Sequence, residues 1–262
     1  MIEGNILKML TTHEAPVEYQ LPIGDQKINI NDLLGEKISF TFNGEINCIN
    51  CGRKTKKSFS QGHCFPCMRD LASCDMCIVK PELCHYDQGT CREPEWGEQH
   101  CLQDHYVYLA NSSGAKVGIT RATQIPTRWM DQGAIQALKI GLVKNRLQSG
   151  IAEVALKEFV ADKTNWRTML KGDIDLIDLE ERRDELLDYW PDEVLGEPLY
   201  EEEVVVFEYP VLEFPKKITS LNLDKVPTVE GTLTGIKGQY LILDIGVINM
   251  RKYQGYFLSW DL

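Results

Sequence analysis

The sequence predicts an α+β fold: a small mixed α/β core, a cysteine-rich insert, and flanking antiparallel β segments that form a sheet or small barrel. Three observations predict it. Apolar and polar residues alternate at both ends of the chain, in "VEYQLPI", "KISFTFNG" and "VEGTLTGIKGQYLILD", with glycines at the turns. All nine cysteines fall between Cys48 and Cys101. Between these cysteines and the C-terminal β segment the pattern changes to strand, strand, helix, strand, helix.

Residues 1–47 read as strands, with turns at Gly24-Asp25 and Gly35-Glu36. Residues 48–103 form the cysteine-rich insert and 104–170 the mixed core. Residues 171–203 are acidic, and "DLIDLEERRDELLDYW" reads as a helix ended by Pro191. Residues 204–262 return to strands, beginning with "VVVFEYPVL". Gly231, Gly235, Gly238, Gly246 and Gly255 punctuate them like a small, tightly turned barrel packed with 1–47.

The cysteines have metal-ligand spacing. Cys48-x2-Cys51 and Cys64-x2-Cys67 make two knuckles, and four thiolates close a tetrahedral shell around a structural zinc. A redox pair or an iron–sulfur centre is the other reading of such motifs. Cys74-x2-Cys77 is a third knuckle, followed by Cys84, Cys91 and Cys101, with His85, His100 and His105 nearby. These predict a second zinc whose four ligands the spacing leaves open. Metal binding would supply much of the folding free energy of so polar a segment. The loop "GRKTKKSFSQGH" carries Arg53, Lys54, Lys56 and Lys57, with Phe59 and Phe65 close by. It reads either as a phosphate-contacting finger tip or as a solvated ribbon loop.

Net charge is −11, and residues 173–203 alone hold fourteen acids against two arginines. The rest of the chain is near neutral, so a nucleic-acid partner is compatible with the overall charge. The acidic run is a solvated helix face or a protein contact. No apolar run is long enough to span a bilayer, and "MIEGNILKML" lacks the pattern of a secretory signal, which points to the cytoplasm.

In the core, "YVYLANSSGAKVGIT" reads as a hairpin, with Tyr106, Tyr108 and Ala110 on one side and Val107 and Leu109 on the other. "QIPTRWMDQG" is a short helix with Pro126 in its first turn, and "AIQALKIGLV" is a third strand. "NRLQSGIAEVALKEFVADK" is a second helix, its apolar stripe formed by Leu147, Ile151, Val154 and Ala155. Glu153 lies beside a second apolar row of Leu156 and Val160. There it needs a partner, a metal or an arginine, or else it makes a surface pair with Lys157. Lys116, Arg121 and Arg128 either surround a phosphate that Gly118 lets the backbone approach, or are solvated cations. In "DKTNWR", residues 162–167, Thr164 reads as a helix cap, with Asn165 or Arg167 as alternative cleft residues.

Tyr108, Lys116-Val117-Gly118, Arg128-Trp129 and Ala152-Glu153, in this order of elements, resemble the GIY-YIG nuclease core. The whole chain resembles an uncharacterised bacterial family, a domain of unknown function, that joins a cysteine-rich segment to such a core. The nuclease resemblance covers about a quarter of the chain. It implies that Tyr108, or Tyr106 on the same face, helps activate the attacking water. It implies that Arg128 stabilises charge on the scissile phosphate, and that Glu153 binds Mg²⁺ or Mn²⁺. Lys116 stands where that family's second tyrosine falls. The expectation is a metal-dependent phosphodiester hydrolase acting on DNA or RNA. The alternatives are a non-catalytic zinc protein that binds nucleic acid or a ribonucleoprotein, and a protein–protein adaptor that uses residues 173–203.

Overall fold

The computed structural model describes residues 1–161 and 163–261. The chain forms two compact units. The first comprises Met1–Arg69, Leu170–Gly172 and Phe207–Leu262; the second comprises Asp70–Met169 and Asp173–Val206. The nine cysteines divide between them, with Cys48 to Cys67 in the first and Cys74 to Cys101 in the second.

The first unit is built on an open antiparallel sheet, not a barrel. Its strand order is Ile2–Asn5, Tyr256–Asp261, Lys37–Asn47, Thr228–Lys237, Tyr240–Leu243 and Gly246–Asn249, and the two-residue strand Lys54–Thr55 also pairs with Lys37–Asn47. The two ends of the chain meet here because alternation buries one face of each strand. Ile38, Phe40, Leu258 and Trp260 are buried, and Phe40 stacks on its cross-strand partner Trp260 at 4.8 Å between ring centroids. Leu10–Thr12, Glu18–Ile23 and Gln26–Asn29 make a separate three-stranded sheet. The stretch read as the strand "VVVFEYPVL" pairs as a strand at Val205–Val206 and again through a single bridge from Val211 to Gly235.

Lys237, 2% exposed, closes one strand of the first unit, its ammonium 5.3 Å from the centroid of the Tyr209 ring and 5.8 Å from that of Phe214. Burial pushes it down to about 8 from the ordinary 10.5. Since the folded value lies below the unfolded one, the charged lysine weakens the fold at pH 7. That penalty fades as pH rises from 8 toward 10.5. Lys237→Met is therefore expected to stabilise the protein at pH 7 by on the order of 3 kcal/mol. Thermal melts at pH 7, 8, 9 and 10 should show the gain over wild type shrinking with pH; a constant gain would contradict the assignment.

In the second unit, β1 (His105–Asn111) and β2 (Ala115–Arg121) form the expected hairpin. They are followed by α1 (Thr127–Asp131), β3 (Gln136–Val143), α2 (Arg146–Leu156), α3 (Trp166–Lys171) and α4 (Leu179–Leu187). Short strands β4 (Gly196–Pro198) and β5 (Val205–Val206) add to β3, which pairs with β1. Val107, Leu109, Val117, Leu138 and Ile140 pack on Ala152, Leu156, Leu179 and Leu186. The face opposite Val107 and Leu109 carries Tyr108.

Several helices differ from the sequence reading. Asn145 caps α2 by accepting from the Gln148 N–H, and α2 stops at Leu156, short of the predicted 163. Its buried face is Gln148, Ser149, Ala152 and Leu156, rotated from the predicted stripe, whose members are only half-buried. The rotation follows from Gly150, where the helix backbone meets the Pro81–Leu83 turn. A Cβ there would lie 2.2 Å from the Glu82 nitrogen and 2.5 Å from the Pro81 carbonyl carbon. Neither backbone can yield cheaply, so Gly150→Ala is expected to cost about 3 kcal/mol by overpacking. Chemical denaturation would check this; an unchanged midpoint would contradict the contact.

The acidic helix α4 is shorter than the predicted run and is amphipathic. Asp178 accepts from the N–H groups of Glu180 and Glu181, and acids in its first turn suit the helix dipole. Leu179, Arg183, Leu186 and Leu187 are buried, while the remaining acids face solvent. At α3 the cap is Asn165, whose Oδ1 accepts from the N–H groups of Arg167 and Thr168. Among the described residues the shielded Thr164 hydroxyl has no partner, so the predicted Thr164 cap is corrected by one residue. Asp162 of that motif lies outside the described residues.

Candidate functional site

Tyr108 is the centre of the arrangement in the second unit. It sits opposite Gly118 in the β1–β2 ladder, and a Cβ on Gly118 would fall 2.7 Å from both the ring carbon Cζ and the hydroxyl. Gly118 therefore makes room for a phenol, and this close approach replaces the expected one by a phosphate. Trp129 of α1 packs edge-on to the ring at 5.8 Å. The phenol donates to Gln132 Oε1 at 3.4 Å, and Lys116 Nζ donates to the same oxygen. Gln132 lies four residues after Arg128, so the two share a face at the end of α1. Nothing in the sequence marked Gln132 except that spacing.

Arg128 and Glu153 both bear on the phenol. Burial pushes Tyr108 above the ordinary tyrosine range. The Arg128 guanidinium opposes this by charge and hydrogen bond, the Glu153 carboxylate reinforces it, and Gln132 opposes it. The phenol is thus protonated at neutral pH. Tyr108 is 1% exposed and Lys116 6%, whereas Arg128, Gln132 and Glu153 are half-buried. Tyr108, Lys116, Arg128 and Glu153, far apart along the chain, share one neighbourhood.

Two predicted residues lie elsewhere. Tyr106 is held under Lys139, whose ammonium is 5.1 Å from the ring centroid and 2.6 Å from the Glu202 carboxylate. Arg121 faces Arg146 and Cys101, and burial together with the Arg146 charge lowers it. The three cations read together from sequence are therefore two at the phenol and one at the cysteines.

The first cysteine cluster, in the first unit, holds Cys48, Cys51, Cys64 and Cys67 with all four sulfurs within 4.8 Å of one another. None is in a disulfide. Cys48 follows the strand Lys37–Asn47, and a turn returns the Gly52 N–H to its carbonyl at 2.9 Å. Cys64 opens the second knuckle, where the Met68 N–H closes onto its carbonyl at 2.9 Å. Burial raises the Cys48 thiol, but the N–H groups of Cys51, Cys64 and Asn50 outweigh it and bring it down to about 6. Four converging thiols without a disulfide suit a closed tetrahedral zinc.

The second cluster, in the second unit, surrounds a cavity of about 10 Å³ lined by Asp75, Cys77, Cys84, His85, Cys91 and Cys101 among others. The ligand atoms of Asp75, Cys77 and His85 lie within 4.8 Å of one another. The Cys101 thiol hydrogen bonds to Cys84, driving Cys84 down to about 6 and Cys101 up. Burial pushes Cys77 up to about 11, helped by the charge of Asp75. Arg146 of α2 donates to the carbonyls of Cys77 and Ile78 at 3.2 and 2.8 Å, which brings its charge beside the thiols. Asp75 also pairs with Arg92 Nε at 2.6 Å. Cys74 is not among the cavity's lining residues. His100 stacks on Trp96, and His105 is buried with Nδ1 2.6 Å from the Gln103 carbonyl. Burial brings His105 down to about 4, so it is neutral.

Residues 35–258 match the model of a family of proteins of unknown function, DUF2797, and the chain belongs to that family. No curated protein and no solved structure matches it. Among the described residues, no helix is long and apolar enough to cross a membrane.

Proposed function

We propose that this chain is a metal-dependent phosphodiester hydrolase of the GIY-YIG type, acting on nucleic acid and stapled by structural zinc. The observation that carries the reading is that Arg128 and Glu153 act on one phenol, Tyr108, which shares Gln132 with Lys116. Lys116 and Arg128 against Glu153 leave one formal positive charge, which a phosphodiester would neutralise. Water adds to phosphorus as the bond to the leaving oxygen breaks, its proton passing to solvent and the leaving oxygen taking one from solvent, and Arg128 donates to the non-bridging oxygens as their charge grows. Lys116 adds charge to the same oxygens. Tyr108, neutral and buried, holds Gln132 and the guanidinium in place, a positioning role in place of a base.

Glu153 is the carboxylate that would hold Mg²⁺ or Mn²⁺, and the ion, when bound, supplies Lewis-acid chemistry. A single carboxylate suits Mg²⁺, which keeps most of its waters. Lys116 and Arg128 beside Glu153 would disfavour a divalent ion there until a phosphate offsets their charge. The first thiol cluster is a zinc ribbon. The second is a second zinc station, drawn from Cys77, Cys84, Cys91 and Cys101 with His85.

The test is cleavage of labelled DNA and RNA with added Mg²⁺ or Mn²⁺. Wild type is expected to cut, while Arg128→Ala and Glu153→Ala bind without cutting. The burial of Tyr108 favours a second reading, a non-catalytic nucleic-acid-binding protein on the same surface. Binding with no cutting by any of these proteins would select it. Absence of binding at low salt would leave the adaptor reading, with the exposed acids of residues 173–203 as the contact.

A further inference from the structure

We infer that the first unit carries its own single-stranded nucleic-acid groove, separate from the Tyr108 site and independent of divalent-ion chemistry. An open cavity of about 620 Å³ lies between the loop that joins the two zinc knuckles and the segment before the last strand. Lys56 and Lys57 stand on one wall and Arg251 and Lys252 on the other. The lysines are exposed, and among the described residues none is engaged by a carboxylate. Four cations face a space far larger than one phosphate, and that spread fits successive phosphates of a strand.

The groove is shaped as well as charged. Gln254 Nε2 donates to the Gln61 carbonyl at 3.0 Å, tying the two walls together. Asp224, the acid in the lining, accepts from the Tyr256 hydroxyl at 2.9 Å. Ser58 lines the groove, and among the described residues its shielded hydroxyl has no hydrogen-bond partner. Beside Ser58, Phe59 meets Phe65 edge-on at 5.7 Å, and Phe65 is 53% exposed. An exposed aromatic next to the loop that forms one wall of the basic groove is a stacking platform for an unpaired base, which selects single strands over duplexes.

The test is fluorescence anisotropy of the zinc-replete full chain with labelled single-stranded DNA and RNA, at low salt and with no added Mg²⁺ or Mn²⁺. Lys56→Glu with Lys57→Glu should weaken binding at least tenfold and reduce the salt slope by about 1.4. Lys56→Ala with Lys57→Ala and Lys252→Ala should weaken it less. Lys216→Glu with Lys217→Glu, lining a different cavity of this unit, should bind as wild type. Equal melting temperatures and zinc contents keep folding out of the comparison. Wild-type-like binding by Lys56→Glu with Lys57→Glu, equal weakening by the Lys216/Lys217 pair, or equal affinity for polyglutamate would overturn the groove. Binding that never leads to cleavage leaves the groove standing and removes the hydrolase. Cleavage with binding indifferent to Lys56 and Lys57 does the reverse.

Discussion

Cys64→Ser is expected to release one zinc per chain and to unfold the region around the first cluster, while Cys74→Ser does neither. Cys64 is buried, and its sulfur lies 3.8 Å from that of Cys51 in a set of four. Removing one thiolate opens the shell and leaves three sulfurs gathered without an ion. Because the site forms only on folding, the lost binding energy is lost folding energy, on the order of 5 kcal/mol or more. The damage reaches the sheet, since Cys48 directly follows Lys37–Asn47, which pairs with both Tyr256–Asp261 and Thr228–Lys237. Cys74 does not line the second cavity and serves as the control. Elemental analysis and thermal melting check this: two zincs per wild-type chain and one in Cys64→Ser. A Cys64→Ser chain with unchanged zinc and melting temperature would remove the structural role.

Glu153→Ala is expected to lower the cleavage rate roughly 10³-fold, the several kcal/mol that a Lewis acid contributes to charge stabilisation. Arg128→Ala should cost about 10²–10³, the effect of deleting one donor to the developing charge. Both side chains are half-buried, so neither change opens a core cavity, and oligonucleotide affinity should shift by only a few-fold. Tyr108→Phe is the discriminating case. It keeps the ring that fills the space against Gly118 and removes the hydroxyl that meets Gln132. A positioning role predicts about a tenfold loss with the shape of the pH profile unchanged. If the phenol were the base, its loss would remove the alkaline limb. Single-turnover rates across pH check all three.

Local patterns carried much of the fold. Alternation marked the strands of the first unit, the β1–β2 hairpin and β3, and Asn145 and Asp178 sit at helix starts where short polar residues belong. The closure of the sheet was not legible. A glycine-punctuated β segment reads equally as a barrel or an open sheet until long-range pairing decides. The rotation of α2 was hidden for a similar reason: Gly150 meets the Pro81–Leu83 turn, a contact between distant segments that periodicity cannot contain. The first cysteine cluster was legible because knuckle spacing encodes its geometry. For the second the residues were named but not which of them converge, since Cys84, Cys91 and Cys101 reach one cavity through several short turns. At the phenol, Tyr108, Lys116, Arg128 and Glu153 were named from resemblance. Gln132, the amide that joins two of them, carried no chemical signal of its own.

The most direct test of the shared neighbourhood as a phosphodiesterase site is single-turnover cleavage by the zinc-replete chain against Glu153→Gln. Both proteins should be saturated with the same single-stranded oligonucleotide in Mn²⁺. Wild type should give new 5′ and 3′ ends, and Glu153→Gln none above background at equal occupancy. Intact oligonucleotide with both proteins, or equal cutting by both, would contradict the phosphodiesterase site.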